Sequence, residues 1–161
     1  MKNLKDIITE RLHITKQTSI YRYSPKTKEE LREILEERLA KDKNADLNDI
    51  DVSQITDMGH IPSIGGLGLF ECLDQHNIKL NKWDVSKVTN MLYMFCECKN
   101  FDADLGEWDV SNVQDMYKMF YKCEKFKGKG LENWDVKKNI YMSFTFGGCK
   151  SLKNKPSWYG K

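Results

Sequence analysis

The chain has 161 residues, of which 40% are hydrophobic and 31% are charged. This length and composition suit one soluble globular domain and exclude a disordered chain. The 26 basic residues nearly balance the 24 acidic ones, so overall charge does not indicate a nucleic-acid or membrane partner. No segment offers the roughly 18 consecutive apolar residues of a membrane span, or the apolar core of a secretion signal. We therefore expect a cytoplasmic protein with no membrane partner.

The first 46 residues predict a helical cap. Residues 4–12 place Leu4, Ile7, Ile8 and Leu12 on one helical face. A second helix is predicted to start at Thr27, because Thr27 and Glu30 have the capping-box spacing. Its apolar face is formed by Leu31, Ile34, Leu35 and Leu39. We expect residues 1–46 to cover the first repeat, with a short strand near residues 19–23. The alternative, a coiled-coil partner helix, would require more heptads.

Related segments recur from residue 47 to the C-terminus. Three begin with Trp-Asp-Val, at Trp83, Trp108 and Trp134, with spacings of 25 and 26 residues, and IDVSQITDM at 50–58 is a fainter copy. A fixed period of this size is typical of a solenoid, in which each repeat buries its apolar face against its neighbours. We predict about four repeats over residues 47–161, with a truncated C-terminal end where Trp158 begins a further unit.

Apolar residues occupy matching positions in successive repeats, while the residues between them vary. Those positions are Leu80, Leu105 and Leu131; Val85, Val110 and Val136; Met91, Met116 and Met142; Phe95, Phe120 and Phe146; and Cys98, Cys123 and Cys149. In the first repeat, Phe70 and Leu73 take the Phe and Cys positions. This pattern predicts stacked side chains in a shared core.

Each repeat is predicted to contain a short strand followed by a short helix. The segment LGEWDVSNV has the β-branched and aromatic character of a strand, and DMYKMFYKC spaces its apolar residues at helical intervals. The expected fold class is therefore α/β, a short leucine-rich-repeat-like solenoid whose strands stack in parallel, with an N-terminal helical cap.

The motif W-D-V-S-x-V-x-x-M-x-x-M-F-x-x-C resembles the repeat of the BspA-like leucine-rich repeat proteins of bacteria. The resemblance covers about residues 47–158. It implies a leucine-rich-repeat solenoid of the kind that is often displayed on cell surfaces and binds other macromolecules.

The candidate partner-binding residues come from two features. An insertion of about eight residues interrupts the first repeat between Met58 and Phe70, and inserted loops commonly carry binding residues. The outward positions of the repeats vary while the inward ones do not. The candidates are His60, Ile61, Ile64 and Leu67 in the insertion, and Lys87, Asn112 and Lys138 on the repeats. A cap that adapts to the first repeat is an equally good interpretation of the insertion.

The residues that suggest chemistry fit structural roles better. The cysteine position accepts Leu73, so we expect core cysteines without metal or disulfide, and exposed thiols at Cys72 and Cys96. The three histidines show no zinc or triad spacing. Asp84, Asp109 and Asp135 are expected to accept hydrogen bonds from turn amides, not to bind a cation. No cofactor, metal or catalytic site is predicted.

The leading hypothesis is a non-enzymatic module that binds another protein. One alternative is an inhibitor, carried by a phage or mobile element, that occludes a bacterial host enzyme. A further alternative is nucleic-acid binding by the C-terminal half, where eleven lysines face eight acidic residues. Nucleic acid is disfavoured as a partner because those lysines alternate with acids and the tryptophans are assigned to the core.

Overall fold

The computed structural model describes residues 20–60, 68–71, 73, 77–138 and 140–160. These residues contain one α-helix, α1 (Lys28–Lys41), and one 3-10 helix (Leu131–Asn133). Neither has the length and apolar character that a bilayer crossing requires. Successive segments are parallel where they pair, but in the described residues the β-pairing consists not of the predicted strands but of isolated bridges. These pair Tyr23 with Ile50, Asp46 with Lys79, Asp57 with Asn90, Asn90 with Asp115, and Asp115 with Tyr141.

The predicted α/β solenoid of strand-plus-helix repeats is wrong. Within the described residues, the repeats contain no α-helix and no sheet. The segments predicted as helices, residues 91–98, 116–123 and 142–149, are runs of consecutive turns. We call these three stacked segments the turn ladder.

Left-handed residues at fixed positions explain why the turn ladder is not helical. Tyr93, Lys118 and Phe144 have φ between 52° and 59°, and they occupy the same position in three repeats. Four residues later, Glu97 and Lys122 both have φ of 58° and Gly148 has φ of 78°. An α-helix requires φ near −60° at every residue. The buried residues therefore recur at helical intervals while the backbone between them reverses direction.

The backbone amides of the turn ladder alternate between two kinds of acceptor. The N–H of Phe95 donates to the carbonyl of Met119 in the next repeat (2.9 Å), whereas the N–H of Cys96 donates back to Tyr93 within its own turn (2.9 Å). The same alternation covers four amides in each of two repeats. The amides that donate to the next repeat belong to Met91, Tyr93, Phe95, Glu97, Met116, Lys118, Phe120 and Lys122. Consecutive repeats are thus held in one register.

The predicted core positions are confirmed except in the last repeat, where Val136, Met142 and Cys149 are only partly buried, and the tryptophans and phenylalanines form stacks of aromatic rings. Trp83, Trp108, Trp134 and Trp158 follow one another with ring centres 6.4, 6.5 and 5.7 Å apart. Each indole N–H donates to a leucine carbonyl one repeat earlier, at 2.8–3.0 Å. A parallel stack contains Phe70, Phe95, Phe120 and Phe146, with spacings of 4.7, 5.6 and 5.7 Å. Apolar burial therefore supplies the main attraction between repeats.

The second predicted helix is confirmed as α1, and it packs on this core. Leu31, Ile34, Leu35 and Leu39 are at most 3% exposed and belong to the same buried cluster as the repeats. Thr27 accepts a hydrogen bond from the N–H of Glu30 (3.2 Å), as the capping box predicts. The carboxylate of Glu30 instead accepts from the N–H of Lys26. The predicted helix at residues 4–12 lies outside the described residues.

Arg32 on α1 supplies hydrogen bonds that a preceding repeat would otherwise supply. In later repeats, the carbonyls of Met94, Met119 and Thr145 each accept an amide N–H from the repeat before. Leu69 holds the same position in the first repeat, and its carbonyl accepts from Nη1 of Arg32 (2.9 Å). The same nitrogen also donates to the carbonyls of Gly68 and Glu71. Arg32 is only 6% exposed, so its guanidinium is a buried part of the cap.

The first repeat approaches the second so closely at Gly68 that only glycine fits. A Cβ atom built at Gly68 would lie 1.9 Å from the backbone oxygen of Tyr93. Because that oxygen also accepts from the N–H of Cys96, it cannot move away without breaking a turn. Gly68 is therefore required for packing.

Replacing Arg32 tests its role in the cap. Arg32→Met should lower the free energy of unfolding by roughly 2–4 kcal/mol, because three buried carbonyls lose a charged donor. Glu33→Met, at an exposed position of the same helix, should change it by less than about 0.5 kcal/mol. Urea denaturation measures both. Equal, small effects would contradict the assigned role.

Glycine and alanine at position 122 distinguish a turn from a helix. Lys122→Gly should be more stable than Lys122→Ala by roughly 1 kcal/mol, because alanine is strained at positive φ. At Glu33, inside α1, the order should reverse, with alanine more stable than glycine by about 1 kcal/mol. Denaturant midpoints of the four variants provide the comparison. The same order at both positions would refute the left-handed backbone.

Candidate interaction surface

The structure describes only one of the four insertion candidates. Ile61, Ile64 and Leu67 lie outside the described residues. His60 is half-buried, and its carbonyl accepts a hydrogen bond from Nζ of Lys28 on α1 (2.9 Å). Its Nδ1 is buried without a hydrogen-bond partner among the described residues. His60, the described residue of the insertion, is thus attached to helix α1. This contact supports the interpretation of the insertion as a cap that adapts to the first repeat.

The three repeat candidates are exposed, as predicted, but they differ in their contacts. Asn112 donates to the carbonyl of Ser86 (2.8 Å) and accepts from Nζ of Lys137 (3.4 Å), so its amide already bridges repeats. Lys138 and Tyr141 line a groove of about 510 Å³ that extends over three repeats and also involves Gln114 and Thr89. Lys87 is exposed. These residues do not form a single cluster in the structure.

Aromatic side chains that sequence reasoning did not select form a continuous surface on the turn ladder, in which the tyrosines are half-buried and Phe144 is exposed. Tyr93 packs edge-on against Tyr117 (5.6 Å between ring centres), and Tyr117 packs edge-on against Phe144 (6.2 Å). Phe144 is 59% exposed although it is a large apolar side chain. We call Tyr93, Tyr117, Lys118, Tyr121 and Phe144 the tyrosine surface. It extends across three repeats.

Lys118 lies at the centre of the tyrosine surface. Its Nζ is 5.5, 5.2 and 5.1 Å from the ring centres of Tyr93, Tyr117 and Tyr121. These distances are typical of cation–π contacts, which restrain both the rings and the ammonium group.

The sequence contained the information needed to predict the tyrosine surface. The aromatic residues of the turn ladder that lie outside the core positions are Tyr93, Tyr117, Tyr121 and Phe144.

Other lysines of the C-terminal half form ion pairs with acids one repeat earlier. Lys129 pairs with Asp104 (2.6 Å), and Lys150 pairs with Glu124 (2.9 Å). The hydrogen bonds from these lysines hold the pKa values of Asp104 and Glu124 below their ordinary range. Two further pairs join Lys122 to Glu97 and Lys127 to Asp102. Paired lysines are less available to phosphate groups.

The repeated cysteines are core residues that donate hydrogen bonds. The thiols of Cys98, Cys123 and Cys149 donate to the carbonyls of Phe70, Phe95 and Phe120, one repeat earlier, at 2.9–3.4 Å. Burial raises the pKa of Cys123 well above its ordinary value, and that of Cys149 to about 11. Both thiols stay protonated near neutral pH, which suits donors and not metal ligands.

The prediction that Cys96 is exposed is wrong, and Cys72 lies outside the described residues. Cys96 is 5% exposed, and burial, followed by the nearby charges of Glu71 and Glu97, raises its pKa to about 12. It is buried because the left-handed residues Tyr93 and Glu97 turn the chain on either side of it. The sequence predicted exposure because Cys96 lies outside the repeated cysteine position.

Two of the three repeated aspartates accept hydrogen bonds from turn amides, as predicted. Asp84 accepts from the N–H of Ser86 (3.1 Å), and Asp109 accepts from the N–H of Ser111 (3.0 Å). The hydroxyl and then the amide of Ser111 lower the pKa of Asp109. No group of three or more His, Cys, Asp or Glu side chains suited to a metal ion occurs in the described parts of the chain.

Comparison with known proteins identifies the family. A family model described as "Mycoplasma protein of unknown function, DUF285" matches residues 29–159. The chain belongs to this family. DUF285 proteins are repeat proteins related to the BspA-like group, and the match covers α1 from its second residue and extends to Tyr159. No curated protein and no solved structure matches the chain.

The raised thiol pKa values predict slow alkylation of the folded DUF285 protein. At pH 8, iodoacetamide should modify Cys96 and Cys149 at least about tenfold more slowly than in the urea-unfolded chain, because little thiolate forms below pH 9. The rate should rise as the pH approaches 10. Peptide mapping by mass spectrometry resolves each cysteine. Equal rates in the folded and unfolded chains would show that these thiols are accessible and unperturbed.

Proposed function

We propose that the protein is a non-enzymatic module that binds another protein through the tyrosine surface. The observation that carries this proposal is the row of contacting rings at Tyr93, Tyr117 and Phe144, which the turn ladder holds in place and in which the two tyrosines are half-buried and Phe144 is exposed. Tyrosine supplies a large contact area at a low entropy cost, and aromatic residues are enriched where proteins bind proteins. A matching partner offers apolar groups to the rings and a carboxylate to Lys118.

The structure supports a protein partner over nucleic acid. Four lysines of the C-terminal half pair with acids, and the stacked tryptophans are buried in the core. Proteins that bind single-stranded nucleic acid combine unpaired cations with accessible aromatic rings.

We also propose a closer relationship to the BspA-like repeats, which the W-D-V-S-x-V-x-x-M-x-x-M-F-x-x-C motif supports. We propose a cytoplasmic location as well.

An affinity experiment tests the proposed function. Immobilised protein should retain a defined protein from nuclease-treated lysate of the cells that express it, and the double variant Tyr117→Ser, Phe144→Asn should lose at least about 90% of it. Asparagine is chosen because it tolerates the left-handed backbone at position 144.

The matched control changes two exposed lysines, Lys125→Ser and Lys153→Ser, and should retain the partner fully. Melting temperatures of both variants verify that they are folded. Retention by the tyrosine variant, or a retained species that nuclease removes, would contradict the proposal.

A further inference from the structure

The repeat period pairs lysines with acids between neighbouring repeats. Four lysines contact a carboxylate that lies one period, 25 or 26 residues, before them in the chain. These pairs are Glu97 with Lys122, Asp102 with Lys127, Asp104 with Lys129, and Glu124 with Lys150. Residues one period apart lie side by side in adjacent repeats. A lysine is therefore neutralised where the repeat before it carries an acid at the same position.

Lys118 is an exception to this arrangement. The residues at its position in successive repeats are Tyr93, Lys118 and Phe144, which share a left-handed backbone with φ between 52° and 59°. An aromatic residue thus lies one repeat earlier and another one repeat later, and neither can neutralise an ammonium group. Lys118 forms no ion pair in the described part of the chain.

The next left-handed position of the same repeat provides an internal comparison. It is occupied by Glu97 and Lys122, both with φ of 58°. Here the earlier repeat carries an acid, and Glu97 accepts a hydrogen bond from Nζ of Lys122 (2.6 Å). Lys118 and Lys122 therefore have the same backbone conformation and differ in their surroundings, since a carboxylate binds Lys122 and rings surround Lys118.

The ammonium group of Lys118 is exposed and charged, although its position is restrained. Three tyrosine rings have their centres 5.1–5.5 Å from its Nζ, and such contacts hold an ammonium group in place. Desolvation lowers the pKa of Lys118, but its interactions with Tyr117 and Tyr93 outweigh this effect, so the pKa lies above its ordinary value. The tyrosine surface thus offers a fixed positive charge among apolar rings.

We infer that the partner of the tyrosine surface presents an acidic segment, with an aspartate or glutamate carboxylate on Lys118 and apolar side chains on the adjacent rings. This inference rests on the proposed function and names the chemistry of the partner at the same surface. The carboxylate of the partner completes the ion pair that Glu97 supplies to Lys122 within the chain. The charge contributes specificity, because a neutral segment leaves the ammonium group unpaired and a basic segment is repelled.

Selection of random peptides displayed on phage tests the inference. The immobilised full chain is the target, and counter-selection on the variant Tyr117→Ser, Phe144→Asn removes peptides that do not depend on the tyrosine surface. The selected peptides should be enriched in Asp and Glu, beside apolar residues, at least about threefold over the unselected library. Lys118→Gln should abolish this enrichment. Lys118→Glu should change it to Lys and Arg, because the charge of the surface is then reversed.

The matched control is Lys125→Glu, which makes the same charge change at an exposed lysine outside the tyrosine surface. It should select the same acidic peptides as the unchanged chain, and melting temperatures verify that every variant is folded. Selected peptides without acidic residues would overturn the inference and leave the proposed function standing. Acidic peptides that Lys118→Glu still selects would also overturn it, because another lysine would then bind them. If no peptide depends on the tyrosine surface, the proposed function is contradicted, and the inference with it.

Discussion

The alternating amide pattern of the turn ladder is the constraint on which the rest of the structure depends. Every second N–H donates to the next repeat, as from Phe95 to Met119, and the amides between them close turns within the repeat. Both kinds of bond must be satisfied because these amides lie beside a buried core. This fixes the register between repeats. The phenylalanine and tryptophan stacks then follow from a sequence that repeats with the same period.

The same register arranges the outer surface. Left-handed residues such as Tyr93, Lys118 and Phe144 lie at matching positions, and the half-buried ring of Tyr117 contacts both Tyr93 and the exposed Phe144. Ion pairs such as that between Lys129 and Asp104 form across repeats for the same reason. The surface therefore contains both paired charges and contacting rings. The rings offer apolar area in a restrained position, which favours them as the proposed binding element.

The first repeat and the last tryptophan are packed in different ways. At the first repeat, the guanidinium of Arg32 on α1 donates to the carbonyls of Gly68, Leu69 and Glu71. Leu69 is at the position where later repeats accept an amide N–H from the repeat before, so a side chain takes the place of a backbone donor there. Trp158 packs on Trp134 and continues the tryptophan stack.

The sequence by itself determined the period, the buried positions and the cap. Tryptophans 25 and 26 residues apart predicted the stack of Trp83, Trp108 and Trp134, since core residues must match between neighbours. The capping box at Thr27 predicted the start of α1. These features depend on residue type and spacing alone.

The tertiary structure decided the backbone of each repeat, and with it the surface. Met116, Met119 and Phe120 are buried at intervals that suit both a helix and a run of turns, so their spacing could not distinguish the two. Non-glycine residues such as Tyr93 and Lys118 adopt positive φ here, which costs energy locally and is stabilised by bonds to the next repeat. The burial of Cys96, the capping role of Arg32 and the contacts among the tyrosines all depend on that backbone. They arise between repeats, and the sequence of one repeat does not contain them.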